Sequence, residues 1–187
     1  TVAEHRAVQH RAVLEAAEKL IITSHGAVPT LAEVAAEVGL ARPSVYRYVS
    51  SQHDLLVQLL IQATQSWNEQ LESAMAVASP EPKKRIHAYV DATLELFIHS
   101  AHGHLMTAAQ HFPQAFADEA VQQSHGGFAS IVNEFCPGVS RADISLLNAA
   151  IVRASELANR SPEQLPGITQ TLYAMANVIV PQPSDSQ

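Results

Sequence analysis

Gly39 interrupts an apolar stripe, and that interruption constrains how residues 30–48 can fold. Leu31, Val34, Ala35 and Val38 fall at i, i+3, i+4 and i+7, one face of a helix with Thr30 as its N-cap. Glycine tolerates the left-handed backbone of a tight corner, so the helix stops at Gly39, and Leu40 plugs the corner. A second helix follows, with Pro43 in its first turn, where a missing N–H costs nothing. Val45 and Val49 face inward at i, i+4. Arg42, Ser44, Arg47 and Tyr48 then point outward, with Tyr46 at the boundary. Two helices, a glycine corner and an outward face of arginine, serine and tyrosine describe a helix-turn-helix, whose second helix would enter the DNA major groove. An αα-corner inside a helical core is the alternative, but it has no use for two arginines and two tyrosines within seven residues.

The same residues carry a resemblance. Thr30, Val34, Ala35, Gly39, Leu40, Ser44, Val45, Tyr46, Tyr48, Ser51, Asp54 and Leu55 follow the pattern of tetracycline-repressor-type (TetR) regulators. The preceding segment VLEAAEKL, with Gly26 after it, matches too, so the resemblance covers about the first third of the chain. It implies that Arg42, Pro43, Ser44, Tyr46, Arg47 and Tyr48 meet DNA. An arginine fork suits guanine O6 and N7. Tyr46 and Tyr48 suit phosphates or thymine methyls, and Thr30, at a helix start, can offer its N–H and hydroxyl to a phosphate. Three positions depart from the family pattern. Ala41 stands for the usual serine cap, at a cost of about 1 kcal/mol. Gln52 stands for a phosphate-pairing lysine, and Ala32 for a base-reading arginine.

The net charge of −7 runs against DNA binding until its distribution is considered. Residues 1–56 hold five Lys/Arg against six Asp/Glu, whereas the remainder holds six against twelve. A near-neutral first part can dock, with weak nonspecific affinity. The 187 residues, 47 % apolar and 16 % charged, suffice for a soluble globular core. No apolar run is long enough to span a bilayer, and no signal peptide is visible. A single cysteine, Cys136, excludes an internal disulfide framework and fits a reducing cytoplasm.

Further along, residues 5–25 read as a first helix with the stripe Val13, Ala16, Ala17, Leu20 and Ile21. Arg6, His10 and Arg11 at its start suit either phosphate contact or solvent. Helix four runs from Gln52 to Val77 on the stripe Leu56, Leu60, Ala63, Trp67 and Leu71. Ser79, Pro80 and Glu81 read as the start of the next helix, which runs to about Ser100. A short helix or turn spans His102 to His111, and Pro113 opens a helix kinked at Gly126-Gly127 and ended by Pro137-Gly138. Ser140 to Asp143 resembles a capping box with aspartate in place of glutamate. Pro162 and Pro166-Gly167 mark the last helix start, and the tail PQPSDSQ reads as disordered.

The expected architecture is all-α: a three-helix helix-turn-helix domain over residues 1–51, then a helical ligand-binding and dimerisation domain over 52–187. In TetR-type regulators, aromatics such as Trp67, Tyr89, Phe97, Phe112, Phe116 and Phe128, with Met106, line a pocket for a small, largely apolar effector. Thr93, His111 and Asn148 would add polar contacts, and plain core packing is the alternative. Ile144, Leu147, Ala150, Ile151, Ala154 and Ala158 on one helix, with Ile168, Leu172, Met175 and Ile179 on the last, would build a dimer seam. A helix-turn-helix gains affinity by reading two half-sites of a palindromic operator, so a homodimer is expected.

His99, His102 and His104 lie close in sequence, but no carboxylate or cysteine joins them at ligand spacing, and neither HExxH nor CxxC occurs. No metal or cofactor is therefore expected. Phosphate loops and nucleophile elbows are also absent from the sequence. The reading is a cytoplasmic repressor released from double-stranded DNA by a small ligand, with no enzymatic activity and no membrane. The rivals are a metal- or histidine-dependent helical-bundle enzyme with a vestigial helix-turn-helix, and a helical module that binds protein only.

Overall fold

The computed structural model describes residues 1–124 and 126–181. Most of the expected disordered tail, from residue 182, lies outside them. The described residues form eleven α-helices and one 3-10 turn, with no strand among them. They divide into two compact units, and the long fourth helix contributes to both.

The first unit comprises residues 1–65 and 101–124. It holds α1 (Val2–Thr23), α2 (Leu31–Val38), α3 (Arg42–Val45) and the start of α4 (Gln52–Val77), then α6 (His102–His111), α7 (Pro113–Phe116) and α8 (Glu119–Ser124). Its core joins Val13, Ala17 and Ile21 of α1 to Val34 of α2, Val45, and the buried run Leu55, Leu56, Leu59 and Leu60 of α4. Leu105 and Ala108 of α6 close it. Because α4 supplies these leucines, the unit reaches past residue 51. Gly26, at φ +105°, allows α6 to approach, since a Cβ there would sit 2.7 Å from the Thr107 methyl.

The corner follows from its residues. Thr30 and Glu33 form a complete capping box at the head of α2. Gly39 at φ +75° ends the helix, and the Leu40 N–H returns to the Ala35 carbonyl at 2.9 Å. Ala41 caps α3 with no side-chain bond. The α3 helix is shorter than the sequence pattern suggests. After Val45 the chain tightens, with Arg47 N–H to Ser44 O at 3.2 Å and Tyr48 N–H to Val45 O at 2.9 Å.

The second unit comprises residues 66–100 and 126–181 of the described chain. It holds the end of α4, α5 (Pro82–His99), α9 (Gly126–Phe135), α10 (Arg141–Arg160), the 3-10 turn Pro162–Gln164 and α11 (Leu165–Ile179). Here α5 packs on both α10 and α11, which also pack on each other.

Three local expectations are corrected. Ser79 is not the cap of α5. Its hydroxyl accepts from the Glu81 N–H at 3.3 Å, and Pro82 holds Glu81 extended, so the helix begins at Pro82. The single helix expected after Pro113 is interrupted before residue 119. Its first part ends at Phe116, and Asp118 starts the second by accepting from the Ala120 N–H at 3.0 Å. At α10 the Ser140 hydroxyl accepts from the Asp143 N–H, but the short aspartate carboxylate returns to that hydroxyl, at 2.7 Å.

Candidate functional site

The corner presents Arg42, Pro43, Tyr46 and Arg47 to solvent, with Ser44 and Tyr48 half-buried behind them. Tyr46 is 49 % exposed, an unusual place for an aromatic ring without a partner surface. Val45 and Val49, on the opposite side of the same turn, are fully buried and fix the orientation. Arg47 and Tyr48 share a concavity of about 360 Å³ with Val2, His5 and Arg6 of α1. The start of α1 therefore adds a third arginine, Arg6, to Arg42 and Arg47.

Tyr48 is held by His10 and by Gln58, a partnership that the sequence pattern does not show. Its ring stacks on His10 with centroids 6.0 Å apart. The Gln58 amide donates to the Tyr48 carbonyl and to Asp54 Oδ2, both at 3.1 Å. With both acceptors on its nitrogen side, the Gln58 oxygen must face His10, whose Nε2–H donates to it at 2.6 Å. The only sequence trace of this is the i, i+4 pair of Asp54 and Gln58 on α4.

Two expected phosphate contacts sit differently from their sequence reading. The Thr30 N–H and hydroxyl both donate to Glu33 Oε2, at 2.7 and 2.8 Å. The donors at the head of α2 that remain for an anion are the next backbone N–H groups, of Leu31 and Ala32. The Gln52 amide donates to the carbonyls of Pro29 at 3.1 Å and Val28 at 3.4 Å, tying down the loop before α2.

The expected effector residues fall in both units. Met106 and Phe112 pack on the first unit's core, and Phe116 is 39 % exposed. In the second unit, Trp67 stacks on Phe128 with centroids 4.9 Å apart, and Tyr89 approaches the same ring at 6.2 Å. The Tyr89 hydroxyl donates to Asn148 Oδ1. Burial holds this phenol well above its usual pKa, so it stays a neutral donor. Thr93, one turn on from Tyr89, and Phe97, two turns on, are buried on the same helix.

No protein-family model matches the chain, nor does any curated protein. Solved structures do. A TetR family transcription regulator from Marinobacter aquaeolei VT8 superposes with a TM-score of 0.68 at 13 % identity, covering 95 % of this chain and 98 % of its own. The TetR-like regulator LfrR from Mycobacterium smegmatis, in complex with proflavine, gives 0.63 at 20 % identity over 93 % and 98 %. The transcriptional regulator FadR from Bacillus subtilis, in complex with stearoyl-CoA, gives 0.62 at 13 % over 91 % and 97 %. The chain has the TetR fold.

Within this TetR fold, most residues expected at the dimer seam are buried by the chain's own packing. Ile144, Leu147, Ile151, Ala154, Ala158 and Leu172 are at most 5 % exposed, while Ala150, Ile168 and Ile179 are half-buried. The apolar residues left outward are Leu146 at 70 %, Val178 at 84 %, Met175 at 47 %, and Leu157. An open groove of about 730 Å³ runs between α10 and α11, with Ala154 and Leu172 on its floor and Leu157, Ile168 and Met175 on its sides.

His99 is exposed beside Glu95 and His102 is buried, while His104 meets His25 with centroids 5.8 Å apart. Among the described residues no three of His, Cys, Asp and Glu gather as a metal site, and no helix is long and apolar enough to cross a membrane.

Proposed function

We propose that the protein is a ligand-released repressor that binds a palindromic operator in double-stranded DNA as a two-fold dimer. The observation that carries this reading is the exposed corner itself. Arg42, Tyr46 and Arg47 stand on a turn whose inner side is locked by Val45 and Val49, with Arg6 beside Arg47. The arginines and Tyr46 supply base and phosphate contacts, and the head of α2 supplies N–H donors to a phosphate.

The fold supports the rest of the reading. A small, largely apolar effector would act among Trp67, Tyr89, Thr93, Phe97, Phe128 and Asn148. These present three aromatic faces, a neutral phenol and an amide in one unit. Two copies would meet across the groove between α10 and α11. Effector binding would shift the population of DNA-competent dimers through α4, which contributes to both units.

The test is selection of bound duplexes from a random library, with and without cell extract. The expected result is an enriched inverted repeat with half-sites one or more helical turns apart, lost when extract supplies the effector. No enrichment by the folded protein would remove DNA from the reading.

A further inference from the structure

The second unit holds a cleft of about 190 Å³ lined by none of the residues assigned above to DNA, effector or dimer contact. Pro80, Pro82 and Ile86 line one side, at and before the start of α5, and Phe135, Val139 and Val180 line the rest. This apolar wall carries one cation. Arg85 is half-buried, with its guanidinium carbon 5.6 Å from the centroid of the Phe135 ring. Among the described residues it makes one hydrogen bond, from Nη1 to the Phe135 carbonyl, long at 3.5 Å, and its Nε is buried with no acceptor.

Among the described residues no carboxylate pairs with Arg85; on the neighbouring turn Glu81 takes Lys84 instead. Cys136, in the same wall, supplies no negative charge, because burial pushes its thiol up to about 11. A guanidinium held partly out of water with unused donors is costly unless an anion is brought to it.

We propose that this cleft binds a small carboxylate with an apolar body, of the size of benzoate. The carboxylate would take the free edge of the Arg85 fork, and the apolar body would lie against Ile86, Phe135 and Val139. The observations are independent of DNA binding and of the residues around Tyr89 and Phe128. The site therefore stands or falls separately from the repressor reading.

The experiment is a titration of the full chain, without DNA, by sodium benzoate and by benzyl alcohol, followed by calorimetry and by backbone amide NMR. Benzoate should bind with a Kd on the order of a millimolar or tighter. Benzyl alcohol, which lacks the charge, should bind at least about tenfold more weakly. In the unaltered protein the amide shifts should centre on residues 83–86 and 135–139. Arg85→Gln should lose about tenfold or more in benzoate affinity, and Lys83→Gln, an exposed neighbour, should change it little. Shifts centred elsewhere, equal affinity for the alcohol, or no saturation by benzoate would each overturn the proposal. Should Arg85→Gln fail to fold, the NMR map and the alcohol comparison on the unaltered chain still decide it.

Discussion

Two neighbouring helix caps show how much a single residue settles here. Thr30 and Glu33 bond reciprocally, whereas Ala41 offers α3 nothing. Ala41→Ser should let a hydroxyl accept from the start of α3 and raise the stability of the folded chain by about 1 kcal/mol. Chemical denaturation measures it, and no gain would mean that α3 is held by Val45 and Val49 alone. The Glu33 carboxyl is held below its ordinary value of 4.5, first by the Thr30 N–H and then by the Thr30 hydroxyl. A carboxyl lowered on folding stabilises the folded state above its unfolded pKa and loses that contribution as the pH falls through the folded value. Glu33→Gln should therefore flatten the acid limb of a stability profile between about pH 5 and pH 2. An acid limb of unchanged steepness would place the titration elsewhere.

At the scale of the element, the segment after α3 depends on α4 for its shape. Val49 buries itself in the core, and Gln58 of α4 takes the Tyr48 carbonyl while fixing His10 under the Tyr48 ring. Gln58→Leu would keep the volume but strip partners from the Tyr48 carbonyl, Asp54 and His10. A lost partner in a part-buried network costs about 1–3 kcal/mol. Thermal unfolding should show that loss, and affinity for a selected duplex should fall with it as Tyr48 loses its support. A variant that binds and melts like the parent would remove Gln58 from any role in positioning Tyr48.

For the whole molecule, the question is what covers the outer faces of α10 and α11. Leu146, Leu157, Met175 and Val178 lie exposed on these two helices. Met175→Glu tests the proposed dimer, because the side chain is half in solvent and the folded monomer can carry the charge. The expected outcome in sedimentation is a helical monomer with weakened operator binding, since a charge at an apolar seam must be desolvated. A Met175→Glu variant that remains dimeric would move the interface off this groove. Leu172→Glu is a poorer probe, because Leu172 is buried in the chain's own packing and the change would threaten the fold itself.

Local rules were enough for the corner and for the length of α4, though not for every helix boundary. Thr30, Gly39 and Pro43 act within a few bonds of themselves, and the inward valines follow from a period of 3.6, so the helix-turn-helix and its outward arginines were legible from the residues alone. The extent of α4, from Gln52 to Val77, was legible for the same reason. What a stripe cannot say is which neighbour it meets. Ala154 and Leu172 have the pattern of a seam, and packing of α10 on α11 within one chain leaves them at most 5 % exposed, on the floor of the groove between those helices. Met106 and Phe112 looked like companions of Tyr89, but they serve the core that α1 and α4 share. Gln52 is bound to a loop more than twenty residues earlier in the chain, and Arg85 shares a cleft with residues fifty or more positions later. Those partners are set by how the helices pack, which depends on the summed burial of many side chains rather than on the spacing of any few.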